Sequence, residues 1–245
     1  MMDRALGAIS TGTAAATTDQ EAVNRFGMHY QWGRKDPFTP ATHTGYVNYN
    51  NAQEVQIYNA AGTPITKGTN GIGTTDEEFK LDNTTTTTIN HLIQNPSTHY
   101  GKGHGDLVND TWVPIASAGY NNITKEGDWW NPTIKTLYDP CPNGYRIPKS
   151  GTYDEARDWT LSTWTGGIIT NGHIWNSNID TFFPASGRRN DNTGNFRYIG
   201  SHGFFWTSTP FQATSGYQLY LDSDYIGPIS NYPRSEGLPT RCIKD

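Results

Sequence analysis

The chain has 245 residues, 34% apolar, 13% aromatic and 17% charged, with a formal net charge of −5 at pH 7. With no Lys/Arg-rich run to offset it, that charge excludes an electrostatic footprint for nucleic acid or an anionic membrane surface. No apolar stretch is long enough for a membrane-spanning helix, and the eight Trp, fourteen Tyr and nine Phe argue against a disordered polyelectrolyte.

In chain order, Met2-Asp3-Arg4-Ala5-Leu6-Gly7-Ala8 opens without a polar leader, as expected of a piece trimmed from a longer exported protein where a strand starts. Met1-Met2-Asp3-Arg4 is no signal sequence, so an export signal or anchor is expected outside the given chain. After a Thr/Ala/Gly link, Asp19 supplies an N-cap for a short helix to about Phe26, stopped by Gly27. Tyr30 to Phe38 reads as an aromatic strand turning out through Asp36-Pro37. Glu54-Val55-Gln56-Ile57-Tyr58 alternates within a Thr/Asn/Gly-rich stretch and predicts a hairpin or an exposed excursion. Thr84 to Thr88 alone has the composition of a glycosylated stalk, but Ile89, Leu92 and Ile93 at i, i+3 and i+4 predict a short buried helix ended by Asn95-Pro96. Gly101 to Asp128 is irregular, and Trp129-Trp130 forms an aromatic plug.

The last third, Tyr138 to Asp245, carries the organising features. The only two cysteines, Cys141 and Cys242, lie near its ends, Cys141 in a Pro-Cys-Pro-Asn-Gly turn before a short strand at Tyr145-Arg146-Ile147. If the two ends pair in one sheet the thiols meet, closing a loop of roughly one hundred residues worth about 4–5 kcal/mol on the chain-entropy model. Two buried free thiols are the alternative. Thr152-Tyr153-Asp154-Glu155 has the form of a capping box, predicting a helix from about Tyr153 to Leu161 with Ala156, Trp159 and Thr160 facing the core. Short β segments follow at Gly167–Thr170, His173–Trp175, Thr181–Ala185, Phe204–Ser208, Tyr217–Leu221 and Pro239–Ile243.

Six stretches then occur in order: Met2 to Ala8, Tyr30 to Phe38, Asp139 to Pro148, Phe183 to Arg189, Gly203 to Thr209, and Arg241 to Asp245. Together they resemble the C-type-lectin-like "major paralogous" (FISUMP) domain of fimbrillin-like surface proteins and pilus tip adhesins in gut anaerobes. The resemblance implies a C-type lectin fold with neighbouring termini and a ligand face on its C-terminal sheet. The same fold serves the variable proteins of diversity-generating retroelements, whose C-terminal sheet positions are randomised on a fixed framework. Residues 198–236 suit that role, although Gln212 and Gln218, which mutated asparagine codons do not readily yield, would have to be fixed positions.

Catalytic patterns are missing. There is no Gly-x-Ser-x-Gly or Ser-x-x-Lys, and Ser201-His202, adjacent on a strand, would point to opposite faces. The resemblance extends to formylglycine-generating oxidases, but the reactive cysteine pair used there is expected here to be taken up in closing the fold. His99, His104 and Asp106 around Gly101-Lys102-Gly103 are a loose metal grouping whose plainer reading is an exposed turn. Asp222 and Asp224 offer two carboxylates to a hard cation, and the plainer reading is a solvated strand end. The calcium loops of sugar-binding C-type lectins do not occur in the sequence.

The positive signal is aromatic. Tyr198, Phe211, Tyr217, Tyr220, Tyr225 and Tyr232 crowd the last fifty residues among Asp222, Asp224, Asn231 and Arg234, and tyrosine with short polar neighbours suits recognition surfaces and stacking on sugar faces. If Leu219 and Leu221 face inward, Tyr220 and Asp222 face outward. The expectation is a single α+β domain over residues 1–245: small twisted antiparallel sheets with two or three short helices, long loop insertions at 40–130 and a ligand-binding half at 138–245. It would act without catalysis, cofactor or metal as an extracellular adhesin-like module on a bacterial surface or pilus, following other such domains. The partner would be a glycan or protein, bound through Tyr198, His202, Phe211, Tyr220, Asp222, Asp224, Tyr225, Asn231 and Tyr232, with no nucleic-acid binding or direct membrane insertion. The alternatives are a retroelement-diversified receptor-binding protein and a non-binding structural pilin.

Overall fold

The computed structural model describes residues 1–11, 24–38, 57–58, 64–65, 80–82, 98–100, 129–155, 162–164, 172–175, 181–191, 196–212 and 214–245. Among them the strands, in chain order, are β1 (Tyr30–Gln31), β2 (Ile57–Tyr58), β3 (Pro64–Ile65), β4 (Lys80–Asp82), β5 (Thr98–Tyr100), β6 (Tyr145–Arg146), β7 (Ser162–Trp164) and β8 (Gly172–Trp175). They continue with β9 (Thr181–Pro184), β10 (Ser186–Arg189), β11 (Phe196–Ile199), β12 (Gly203–Pro210), β13 (Ser215–Leu221), β14 (Ile226–Pro233), β15 (Gly237–Leu238) and β16 (Ile243–Lys244). One four-residue helix, α1, spans Thr152–Glu155.

The expected α+β class with two or three helices is overturned. The described residues are mostly β-sheet, 45% strand against 4% helix, with no helix of seven residues or more. The capping-box helix is described only over its first turn, and residues 156–161 lie outside the described residues, with β7 beginning at Ser162. The expected helix to Phe26 is described at residues 24–26, ended by Gly27 at φ 75°. The expectations at Ile89 to Gln94 and at Gly167–Thr170 lie outside the described residues. The physical reason lies in composition: Thr and aromatic residues favour pleated segments, and Gly supplies the tight turns between them.

The dominant element is the antiparallel meander β12-β13-β14. Its register places Phe204 opposite Tyr220 and Trp206 opposite Gln218 on one face, with Phe205 opposite Leu219 and Gly203 opposite Leu221 on the other. Because side chains alternate, two cores form on the two faces of one sheet. One gathers Tyr30, Trp32, Trp129, Trp130, Ile147, Phe204, Trp206 and Leu238, so the Trp129-Trp130 plug is where expected. The other holds Ala5, Tyr153, Phe183, Phe205, Leu219 and Leu221. A four-stranded sheet, β1-β15-β10-β11, and the three-stranded sheet β7-β8-β9 flank the meander. β2 and β3 form an antiparallel pair where the hairpin was expected.

Cys141 and Cys242 are bonded. They sit beside β6 and β16, whose pairing of Ile243 with Arg146 brings the two ends of the last third together. The turn before β6 is fixed by Asp139, whose Oδ1 accepts the Cys141 N–H and whose Oδ2 accepts the Ile147 N–H. Lys135 Nζ closes the other side, donating to Asp139 Oδ1 and to the carbonyls of Cys141 and Tyr145. The opening residues form no strand; instead Met2 N–H donates to Cys242 O and Leu6 N–H to Thr240 O. Likewise Pro239–Ile243 is not one strand, since β15 ends at Leu238 and β16 starts at Ile243.

In a chain poor in aliphatics, guanidinium groups share the core with rings. Arg241 lies 3.9 Å over Phe183, Arg234 4.2 Å over Trp32 and Arg189 4.5 Å over Phe196. All three are at most 1% exposed. Burial lowers the Arg189 and Arg234 guanidinium pKa to about 9, which still leaves both charged near neutrality. A desolvated cation–π contact of this kind is worth about 2 kcal/mol, so these pairs stand in for missing aliphatic packing.

Candidate functional site

Seven of the nine expected residues are brought together on the meander, five of them as rings on one face. Tyr198 lies 4.6 Å from His202, His202 lies 5.6 Å from Tyr220, and Tyr220 lies 6.0 Å from Tyr225. Phe204 joins them from β12, stacked on His202 and 5.6 Å from Tyr232. The convergence follows from register, since Tyr220 and Phe204 are cross-strand partners, and from the turn after β11, which brings His202 back against Tyr198 of β11.

Tyr198 occupies a strained position. Its φ is 64°, the only positive value on a non-glycine among the described residues. An aromatic residue in the left-handed region costs of order 1–3 kcal/mol and persists only where surrounding contacts enforce it. Here the Tyr198 carbonyl accepts the N–H groups of Ser201 and His202, while Gly200 N–H donates to Ala185 O and Gly187 N–H to His202 O. Ser201 and His202 therefore belong to this turn rather than to a strand. Ser201 Oγ stands 2.7 Å from His202 Nδ1, correcting the expectation of opposite faces.

Asp222 organises the opposite rim. Its Oδ2 accepts the Tyr220 hydroxyl, and its Oδ1 accepts the N–H groups of Asp224 at 2.9 Å and Tyr225 at 2.8 Å. Its own N–H donates to Tyr225 O, and its carbonyl accepts His173 Nε2–H from β8 at 2.8 Å. Burial pushes the Asp222 carboxyl up, but the Tyr220 hydroxyl and the two amides outweigh it and hold the pKa below the usual value. Burial and the same hydrogen bond push the Tyr220 hydroxyl up. Burial is also the main cause that lowers His202, leaving it neutral near pH 7. Asp222 is thus a positioning residue. It fixes Tyr220 and Tyr225 through the bonds that its carboxylate accepts.

Tyr225 is 61% exposed yet held in place. Gly227 lies under its ring, where a Cβ would come within 2.9 Å of Tyr225 Cε1. Beneath the inner end of the cluster, Arg188 lies 5.3 Å over Tyr198 and 4.7 Å over Tyr232 and is paired with buried Glu236.

The remaining expectations separate. Phe211 packs 5.1 Å from Tyr217 at the far end of the β12–β13 hairpin. Asn231 pairs with Tyr217 in register, next to the Gly216–Tyr232 pair, so it faces away from Tyr232. His99 is fully buried against Phe38, not in an exposed turn, while His104 and Asp106 lie outside the described residues. Sequence reasoning gave no role to Arg188, His173 or Gly227. Gly227 carried a signal, a strand glycine two residues after a tyrosine, whereas the other two act through contacts distant in sequence.

Residues 165–243 match the model of a domain family of unknown function, DUF8237. The matched segment contains the whole aromatic cluster. No curated protein and no solved structure matches the chain.

Proposed function

We propose that this protein is a non-catalytic, adhesin-like ligand-binding domain of a bacterial surface or pilus, and that it recognises its ligand through the Tyr220–Tyr225 end of the β12-β13-β14 sheet. One observation carries the reading. Tyr225 presents a largely exposed ring that is fixed from below by Gly227, from the side by Tyr220 and at its amide by Asp222. A rigid exposed aromatic needs little ordering on binding, the property of an interface anchor. The strained Tyr198 turn supports the same location, because enforced strain concentrates at functional sites. The disulfide accords with an oxidising, extracellular setting. The ligand classes are a glycan or a protein, and the sequence resemblance to fimbrillin-like surface proteins favours both equally.

The test is a glycan-array and surface-protein screen of the domain, with and without EDTA, beside a Tyr220→Ala/Tyr225→Ala variant. Specific binding that disappears in the variant and ignores EDTA supports the reading; specific binding that survives the variant sinks it.

One observation favours a second reading, a retroelement-diversified receptor-binding protein. Among the described residues between 198 and 236 the exposed side chains are Phe211, Gln212, Ser223, Asp224, Tyr225, Ile229 and Asn231. All except Gln212 are residues that adenine substitution in an asparagine codon yields, and Leu219 and Leu221 beneath them are fully buried framework. Comparing genes of near-identical strains decides it: substitutions confined to adenines at those exposed codons support it, and invariance there ends it.

A further inference from the structure

We infer that the group seated on the Tyr220–Tyr225 rim is a cation, an Arg or Lys side chain presented by a basic segment of a partner protein. The inference rests on the binding face proposed above and adds its ligand chemistry. Elsewhere the chain seats its own guanidinium groups on ring faces: Arg25 on Phe182, Arg34 on Phe38, Arg188 on Tyr198 and Tyr232, Arg234 on Trp32 and Arg241 on Phe183. Among the described residues, the rings of Tyr220 and Tyr225 carry no such group, and Tyr225 is the most exposed ring of the cluster.

The adjoining charges have the sign a cation requires. Asp222 is ionised and lies at the foot of both rings, its acceptor bonds coming from a hydroxyl and two amides rather than from a cation. Asp224 is exposed and makes no ion pair with any described residue. Arg188, paired with Glu236, and Arg197 lie at the inner end of the cluster, where their positive charges bear on His202 and Tyr232, and neither is among the charges that act on Tyr220 or Asp222. An aromatic face beside an unpaired carboxylate attracts a cation through ring quadrupole and charge together, and it repels an anionic ligand. The net charge of −5 extends the same preference to the approach of a basic partner.

The experiment is an array of short peptides centred on Arg or Lys, with acetyl-lysine and Gln counterparts, and neutral gluco- and galacto-oligosaccharides alongside. The folded protein is compared with Tyr225→Ala and Asp224→Asn, both at exposed positions, with melting temperatures confirming that each variant is folded. Binding to Arg or Lys peptides that weakens roughly five- to ten-fold in each variant, falls with salt and is lost on acetylation supports the inference. Binding confined to the neutral oligosaccharides, and still lost in Tyr225→Ala, overturns the cation while leaving the face as the binding site. Binding of either class that Tyr225→Ala does not change, or no binding to either, overturns both.

Discussion

The Asp222 carboxylate accepts the main-chain N–H of Tyr225 at 2.8 Å, so the residue that would be read as a ligand-contacting acid is the one that aims the exposed ring. Asp222 also holds the Tyr220 hydroxyl and, through its carbonyl, His173 of β8. The rim is therefore wired to two sheets through one residue.

Replacing Asp222 with Ala removes three acceptor bonds at a half-buried site. We expect a stability loss of about 2 kcal/mol and loss of ligand binding, with Asp222→Asn intermediate in both. Urea midpoints and binding on the same samples check this; full binding by Asp222→Ala would show that the turn does not need its carboxylate.

Gly227→Ala tests positioning without deleting a ring. The new Cβ would stand 2.9 Å from Tyr225 Cε1, and the ring, at the end of a flexible side chain, moves aside. Stability should change by less than about 1 kcal/mol while binding falls. Gly216→Ala is the contrast. Its Cβ would stand 2.4 Å from buried Trp32 Cδ1, and overpacking of the core should cost about 1–3 kcal/mol.

The disulfide was legible because the only two cysteines stand near the two ends of the last third, whereas the strand expected at Pro239–Ile243 was not, since pairing there begins only at Ile243. The alternation of Leu219 and Leu221 against Tyr220 was legible, since a strand has a period of two. Helix content was not. A capping box reports where a helix starts, and nothing in Thr152-Tyr153-Asp154-Glu155 reports how far it runs. The split of Phe211 and Asn231 from the cluster was also hidden, because it depends on cross-strand register and on which end of the hairpin each residue occupies. Arg188 became visible only when rings from β11 and β14 were brought over it.

Removing the disulfide with Cys141→Ser/Cys242→Ser opens a loop with a sequence separation of 101 residues. The expected cost is about 4–5 kcal/mol on the chain-entropy model, read as a shift of the denaturation midpoint that reductant reproduces in the wild type. An unchanged midpoint would assign closure to the β6–β16 pairing alone.

Acid should destabilise the fold through its histidines. Burial lowers the pKa of His29, to about 3, and also those of His99, His173 and His202. A histidine whose folded pKa is depressed takes up its proton in the unfolded state first. Its contribution is therefore complete above the unfolded pKa and is lost as pH falls from about 6.5 towards about 3. Each such proton removes about 1.4 kcal/mol per pH unit. The melting temperature should be flat around neutrality and fall steeply below about pH 6, and a flat profile down to about pH 4 would contradict the burial of these rings.

Arg234 donates to the carbonyls of Ser215 and Gln212 while lying over Trp32. Lysine cannot reproduce a planar fork that stacks and bonds at once. Arg234→Lys should cost about 2 kcal/mol in denaturant unfolding, and a neutral result would remove guanidinium stacking from the account of the core.

The most direct measurement is binding to intact host or bacterial cells by the wild type, Tyr225→Ala and Phe211→Ala, with melting temperatures confirming that each is folded. Tyr225 and Phe211 are both exposed aromatics on the same meander, but only Tyr225 belongs to the cluster. Loss of binding in Tyr225→Ala with retention in Phe211→Ala is the predicted result. Equal binding by all three, or loss in Phe211→Ala alone, would contradict it.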